Sequence, residues 1–318
     1  MGPHSLAVIF PTRNNSGQIR DHLIHARSWI GLASEVIVVD SSTDDTLEIC
    51  RSLLPGHTKI IEHPPGLYAS WNAAIQSVES EFLYISTISD TLDHGFLERM
   101  LDYSSNHSLD MLISPPRFIG EKEGHLWPIH KFISKYEIRE FVCIEGIDTV
   151  ILNYLSLAKY GLSSLSGSFA SNLVRTKMLQ KRQFPNEFGG FGDAMWFSWA
   201  CAEMRLGLLP DIGSTFLIHS SAHHKFSHDE LYQCWQKAIA HQMKILAKLG
   251  IKSFSNRSHQ YHACKMNLKQ LRANKPGFSK FTFKKSIESI RKKYFRLCLN
   301  WELKKLERRL EKSLSLGY

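Results

Sequence analysis

The chain has 318 residues, 43% of them hydrophobic and 11% aromatic, enough to bury the core of one large domain or of one domain with an appendage. Its formal charge of +9 is uneven: residues 276–318 hold twelve Lys or Arg and four Glu, a net +8, and the rest is close to neutral, which argues against the whole protein being a nucleic-acid binder. No run reaches the roughly 18–20 apolar residues of a membrane span, and six scattered cysteines without a CxxC pair fit free thiols in a reducing compartment better than a disulfide framework or a zinc site.

The opening "MGPHSLAVIFPTRNN" lacks a basic flank and a small-residue cleavage site, so it reads as a first strand and not as a signal peptide. Strand Leu6–Pro11 leads to a helix over Gln18–Ile30, apolar at Ile19, Leu23, Ala26 and Ile30. Strand Glu35–Asp40, helix Asp44–Leu54, strand Thr58–His63, helix Leu67–Val78, strand Glu81–Thr87, helix Gly95–Ser105 and strand Asp110–Pro116 follow. This alternation predicts an α/β fold with a mostly parallel sheet covered on both faces. Ligands of such folds bind beyond the carboxyl ends of the strands, so the polar residues after Pro11, Asp40 and Thr87 are expected to line one crevice. From Gly120 to Ser168 the pattern is less legible, and "FVCIEGIDTVILNYLSLAKY" fits strand or helix. A helix is expected over Ala194–Leu206, then strand and loop in "GLLPDIGSTFLIHSS", then a helix over Asp229–Leu249 stopped by Gly250. Past a Pro/Gly break in "ANKPGFSK", a long amphipathic helix is expected from Thr282 to Ser313.

Two readings compete for "DSSTDDT" at Asp40–Thr46. Ser42 suits an N-cap with Asp45 closing a capping box, and Asp44 and Asp45 suit the positive end of a helix. Asp40 precedes that cap, at a strand end, where a carboxylate can accept from a nucleobase N–H or a ribose hydroxyl.

"FPTRNNSGQIRDHL", "EVIVVDSSTDDTLEI" and "GLYASWNAAIQSVESEFLYISTISDTLDHGFLERM", in this order and spacing, resemble the opening of the family 2 glycosyltransferases, which have a GT-A fold. The resemblance covers residues 5–225 and is strongest before 105. It implies a GT-A-like domain over 1–225, with a nucleotide-sugar-binding half over 1–115 and an acceptor half over 116–225. A helical C-terminal region, 226–318, would follow, with its basic amphipathic tail over 276–318. It places Pro11 and Thr12 in the first nucleotide-facing loop, Asp40 on the base or ribose, Gly66 and Asn72 beside the donor, and Ser89 and Asp90 at the donor diphosphate. Mg or Mn is the implied cofactor at Asp90. One branch of the family has Asp where this chain has Ala69, and Thr87 stands where a stronger ligand is common. A single carboxylate is a poor site for such an ion unless phosphate and water supply the other oxygens.

The stretch "LSGSFASNLVRTKMLQKRQFPNEFGGFGDAMWFSWACAEMRLGLLPD" resembles the family's glycine-rich loop and acidic pair. Asp193 matches the general base, which takes the proton of the acceptor hydroxyl as it attacks the anomeric carbon. Gly167 and Ser168 match the wall between donor and acceptor, and Gly192 sits in the acceptor-side loop. An Asp at a helix start is also an ordinary N-cap. "HSSAHHKFSH" holds four histidines. His219 and His223 would make a metal pair on a helix, but the serines favour a surface loop; the resemblance implies that His219 or His224 reaches the diphosphate or its cation.

Ile287, Ile290, Tyr294, Leu297, Trp301, Leu306 and Leu310 have helical spacing among basic residues. Such a tail either packs on protein or lies on an anionic leaflet with Trp301 and Tyr294 at the interface. A nucleic-acid partner is not expected, because the aromatics do not alternate with basic residues.

The expected activity is that of an inverting, hexosyltransferase-like enzyme. It would move a sugar from a nucleoside-diphosphate sugar, foremost a UDP-sugar, to a surface or lipid-linked glycan. The expected location is the cytoplasm, peripheral on the inner face of the membrane. The alternative is a catalytically inactive GT-A-fold binding module in glycan assembly, which the thinned acidic motif favours. A nucleotidyltransferase ranks low, since "FPTRNNSG" offers one glycine where a phosphate loop wants several.

Overall fold

The computed structural model describes residues 5–120, 127–160, 164–218, 228–251 and 304–314. In chain order the elements are β1 Leu6–Thr12, α1 Ile19–Ala26, β2 Glu35–Asp40, α2 Thr46–Leu53, β3 Lys59–Glu62, α3 Leu67–Gln76, β4 Phe82–Ile85, β5 Thr91–Leu92, α4 His94–Asn106, β6 Met111–Ile113 and β7 Arg117–Gly120. Then come α5 Pro128–Lys135, β8 Val142–Glu145, α6 Ile147–Tyr160, β9 Asn172–Arg175, α7 Thr176–Lys181, α8 Gly192–Ala200, β10 Arg205–Leu208, β11 Ser214–Ile218 and α9 His228–Lys248. Residues 304–314 are helical.

Eight strands form one sheet in the order β3-β2-β1-β4-β9-β6-β10-β8. β3, β2, β1 and β4 are parallel neighbours, and β10 runs parallel to β6. Only β9 and the edge strand β8 oppose them. A second sheet of β5, β11 and β7 flanks the first. The expected α/β class and mostly parallel sheet are therefore present.

Alternation along β1 explains why both faces are covered. Leu6, Val8 and Phe10 join one apolar cluster with α1 and α4, while Ala7 and Ile9 join the other with α3, α6, α8 and α9. A strand apolar on both sides has to be buried on both sides. Parallel register then aligns the strand ends, with Thr12 opposite Asp40 and Asp40 opposite Glu62.

The structure differs from the sequence expectations in three places. The ambiguous stretch after Phe141 is both things: β8, then α6, with Gly146 between them at φ +58, a conformation that suits glycine. The helix expected to reach Leu206 stops at Ala200, and Arg205–Leu208 is a strand with Leu206 and Leu208 fully buried. β9 carries no sequence signal: four residues with a two-residue apolar centre give too little alternation, yet they fill the middle of the sheet.

Of the tail, residues 304–314 are described, and they pack on the protein. Leu306, Leu310 and Leu314 are buried in the larger core cluster. Lys135 pairs with Glu307 at 2.6 Å and Arg309 with Asp148 at 3.6 Å, which seats residues 304–314 against α5 and α6. The stretch with Tyr294 and Trp301 lies outside the described residues. Truncating Leu310, which is wholly buried, to Ala should cost about 2–5 kcal/mol of folding stability, measurable by urea denaturation. A Leu310→Ala protein as stable as the wild type would mean that the segment does not seal the core.

Candidate functional site

The carboxyl ends of β1 and β2 are joined side chain to side chain. Asp40 is 4% exposed. Its Oδ1 accepts from the Thr12 and Ser42 hydroxyls, both at 2.6 Å, and its Oδ2 accepts from Ser42 N–H at 3.1 Å. The loop after β1 is tied to the loop after β2 as well. Asn14, at φ +52, donates from its backbone to Ser42 Oγ at 2.9 Å and accepts from Thr43 N–H at 2.8 Å. Pro11 is half-buried beside this junction. The Ser42 capping box is not formed. Instead Asp44 accepts from Thr46 N–H and hydroxyl at 3.1 and 2.5 Å and from Ser16 N–H at 3.2 Å. Those bonds, the Thr46 hydroxyl foremost, hold the Asp44 carboxyl down at about 2. Asp44 serves the helix start because Ser42 is already engaged with Asp40.

Asp90 lies between β4 and β5 and is 5% exposed. Oδ1 accepts from Leu217 N–H of β11 at 3.0 Å, and Oδ2 accepts from the Thr87 hydroxyl. Ser89 turns the chain at φ +77, in the region that side chains other than glycine seldom enter, and its hydroxyl reaches Gln18 at 3.4 Å. Burial pushes the Asp90 carboxyl up to about 7, against the two hydrogen bonds. Behind it His22 shares a 2.9 Å hydrogen bond with Ser86, and burial pushes this imidazole down to about 4, so it is neutral near pH 7.

Among the described residues no three His, Cys, Asp or Glu side chains converge on a point. Asp90 has one protein hydrogen bond on each oxygen. The described residues therefore do not by themselves form a Mg or Mn site. His219 and His224 lie outside the described residues; His219 directly follows β11, the strand that binds Asp90.

Gly167 is at φ +56, and a Cβ there would stand 2.3 Å from the Trp127 ring. Ser168 Oγ accepts from Ala170 N–H at 3.2 Å, starting a 3-10 turn that packs against β4, β5 and β11. The Gly167–Ser168 turn thus reaches the elements that hold Asp90.

Asp193 sits in the first turn of α8, half-buried. Its Oδ1 accepts from Ala194 N–H at 2.6 Å. Burial pushes its carboxyl up to about 6, while Ala194 N–H and the Tyr68 hydroxyl pull it back. Gly189, at φ +49 and ψ −134, bends the loop in a way open to glycine alone. Gly192 is required by contact: a Cβ would lie 2.5 Å from two Tyr68 ring carbons and 2.7 Å from the Pro185 carbonyl. Tyr68 belongs to α3, directly after the carboxyl end of β3, so it brings Asp193 to the same end of the sheet as Asp40. Residue pattern alone did not single out Tyr68; its place two residues after Gly66, facing a glycine 124 positions on, is visible only once the chain is folded.

Gly66 precedes α3 at φ 170, extended backbone that any residue adopts. The Asn72 side chain faces the protein. Its amide donates to the Phe184 carbonyl at 2.8 Å and its oxygen accepts from Phe184 N–H at 3.0 Å. The structure thus gathers Thr12 with Asp40, Asp90 with the Gly167 turn, and Asp193 with Gly192, while Asn72 anchors the loop that leads to Asp193. Asn72→Ala leaves two buried Phe184 groups unpaired. It should cost about 2–4 kcal/mol of stability, read by thermal or urea unfolding. An unchanged midpoint would remove Asn72 from this anchoring role.

Residues 7–190, more than half of the chain, match the family described as glycosyl transferase family 2. Solved structures share the fold. S. aureus TarS 1-349 with UDP-GlcNAc aligns with a TM-score of 0.56 at 21% identity, over 79% of this chain and 72% of that one. The same fragment with UDP gives 0.55 at 21%, with the same coverage. Mannosyltransferase PcManGT from Pyrobaculum calidifontis, with GDP-Man and Mn2+, gives 0.50 at 15%, over 83% and 79%. At these identities the likeness is one of GT-A fold, and against a longer TarS chain the coverage falls to 44% of that chain. No curated protein gives a significant match. The extent of the profile match settles the family: the chain belongs to glycosyl transferase family 2.

Proposed function

We propose that this protein is an inverting glycosyltransferase that moves a sugar from a nucleoside-diphosphate sugar to a hydroxyl of a surface or lipid-linked glycan. The observation that carries the reading is the half-buried Asp193 carboxylate in the first turn of α8, behind a glycine-rich loop, at the end of the sheet where Asp40 also lies. Asp193 is the general base. It accepts the acceptor's proton as that oxygen bonds to the anomeric carbon, while the bond to the diphosphate breaks on the opposite face and the nucleoside diphosphate leaves. No covalent enzyme intermediate is needed.

Asp40, held by Thr12 and Ser42, keeps lone pairs for a base N–H or a ribose hydroxyl, with Pro11 and Gly66 shaping the walls. Ser89 and Asp90 face the diphosphate, and Gly167, Ser168 and Gly192 border the acceptor. A UDP-sugar is the preferred donor in this reading, supported by the UDP and UDP-GlcNAc held by TarS. The Mn2+ held with GDP-Man by PcManGT supports a divalent ion bound together with the donor, His219 being a candidate ligand. Among the described residues no helix is long and apolar enough to cross a membrane; contact with the inner leaflet through the basic tail remains part of the proposal. The inactive-module reading draws on Asp90, whose two oxygens are engaged by protein.

Two measurements test the reading. Calorimetry with UDP, GDP, dTDP, CDP and their common sugars, with and without manganese, should find one nucleotide whose binding weakens in both Asp40→Ala and Asp90→Ala. Binding of none by folded protein would favour the inactive module. With the donor known, Asp193→Asn should lower kcat by about 10²–10⁴-fold with little change in donor affinity. Because the base acts unprotonated and its carboxyl sits at about 6, wild-type kcat/KM should fall as pH drops through that value. A profile flat between pH 5 and 8 would remove Asp193 from the role.

A further inference from the structure

We propose that Trp127, Phe118 and Phe216 form a cup that receives a pyranose ring of the acceptor glycan. The inference rests on the reading of the protein as a glycosyltransferase and names the acceptor end of that same site.

The three rings come from separate parts of the chain. Phe118 is on β7, Phe216 lies opposite it on the parallel neighbour β11, and Trp127 is the residue before α5. The Trp127 centroid is 4.9 Å from that of Phe118 and 4.8 Å from that of Phe216, and the two Phe centroids are 5.8 Å apart. All three side chains stay half-buried, whereas the core rings of Phe169, Phe184 and Trp196 are 1%, 2% and 0% exposed. A rigid aromatic group that the fold leaves half open is suited to hold a ligand.

Trp127 is held in place from two directions. Its backbone N–H donates to His130 Nδ1 at 3.2 Å. The hydrogen of that imidazole is therefore on Nε2, which donates to the Pro116 carbonyl at 2.9 Å. His130 thus ties the start of α5 to the residue before β7. The indole also lies directly against the Gly167 turn, where a Cβ would stand 2.3 Å from the ring. Trp196 and Trp235 spend their indole N–H on backbone carbonyls, at 2.7 and 3.1 Å. That of Trp127 has no acceptor among the described residues.

The cup stands where an acceptor would. β2 and β4 flank β1, so Asp40 and Asp90 are about 10 Å apart across two strand spacings, a span that suits a nucleotide with its base at the first and its diphosphate at the second. The cup lies next to Asp90: Phe216 directly precedes Leu217, whose N–H donates to that carboxylate at 3.0 Å. Trp127 packs against the larger apolar cluster, on the side of the sheet where α8, the helix of Asp193, also packs. The chemistry of the cup fits a sugar. The ring C–H groups of a pyranose form an apolar face that aromatic rings cover, and its rim hydroxyls accept from an indole N–H. An acyl chain in the same place would leave that N–H unpaired.

The test uses full-length protein with its seven tryptophans labelled with 15N, and chitotetraose, cellotetraose and mannotetraose as probes. The Trp127 indole signal is identified by its loss in Trp127→Phe. At least one oligosaccharide should move that signal saturably and more than any other indole. If none does while a nucleotide binds, the cup proposal falls and the glycosyl-transfer reading stands. If an oligosaccharide does and no nucleotide binds, the cup stands and that reading fails. Saturation transfer from protein to sugar then compares variants. Trp127→Phe keeps an aromatic face and should retain the sugar, while in Trp127→Leu the half-saturation concentration should rise at least about tenfold. Equal affinity in the two variants overturns the proposal, since a merely structural site is served by either side chain. Should Trp127→Leu fail to fold, Phe118→Leu against Phe118→Tyr makes the same comparison.

Discussion

The hydrogen bond from Thr12 to Asp40 is where the fold becomes a site. β1 and β2 are parallel because their side chains are apolar on both faces, and the helices that bury those faces leave the strands no other arrangement. Parallel register puts Thr12 opposite Asp40 at the carboxyl ends. There the apolar run stops, and the polar side chains that end both strands meet at 2.6 Å. From this point the loops are cross-tied through Asn14, Ser42, Thr43 and Asp44. Without that tie, two serine-bearing loops would carry their conformational entropy into the crevice.

Burial then sets the electrostatic character of the crevice. Asp90 and Asp193 are both pushed upward by loss of water, to about 7 and about 6, while exposed Asp44, among donors, is pulled to about 2. The same residue type is thus given three different acidities within one end of one sheet. The difference comes from what each carboxylate accepts and how much water it has lost.

Much of this was legible in the sequence where local pattern decides. The run from β1 to α4 is legible because its long strands are apolar stretches and its helices carry clear apolar stripes. Asp40 stood out as a polar residue ending an apolar strand, and Asp193 as an acid after three closely spaced glycines. What stayed hidden depends on long-range pairing. β9 is four residues long and is a strand only because β4 and β6 flank it. Ser42 suited a cap by local rules, and lost that place because Asp40 and Asn14 compete for its hydroxyl and backbone. The family pattern puts Asn72 beside the donor but says nothing of the partner of its side chain, the backbone of Phe184, 112 positions away. Tyr68 carries no local signal at all.

The seating of Leu306, Leu310 and Leu314 in the main core has a consequence for biosynthesis. β1 to α4 leave the ribosome early and can pair at once, since their contacts are close in sequence. The cleft between α5 and α6 stays open to water until residues 304–314 emerge, well over a hundred residues later. A nascent chain at that stage leaves the core residues that Leu306, Leu310 and Leu314 cover exposed beside an already paired sheet. Such transiently exposed apolar surface is where an incomplete chain is most prone to associate with others.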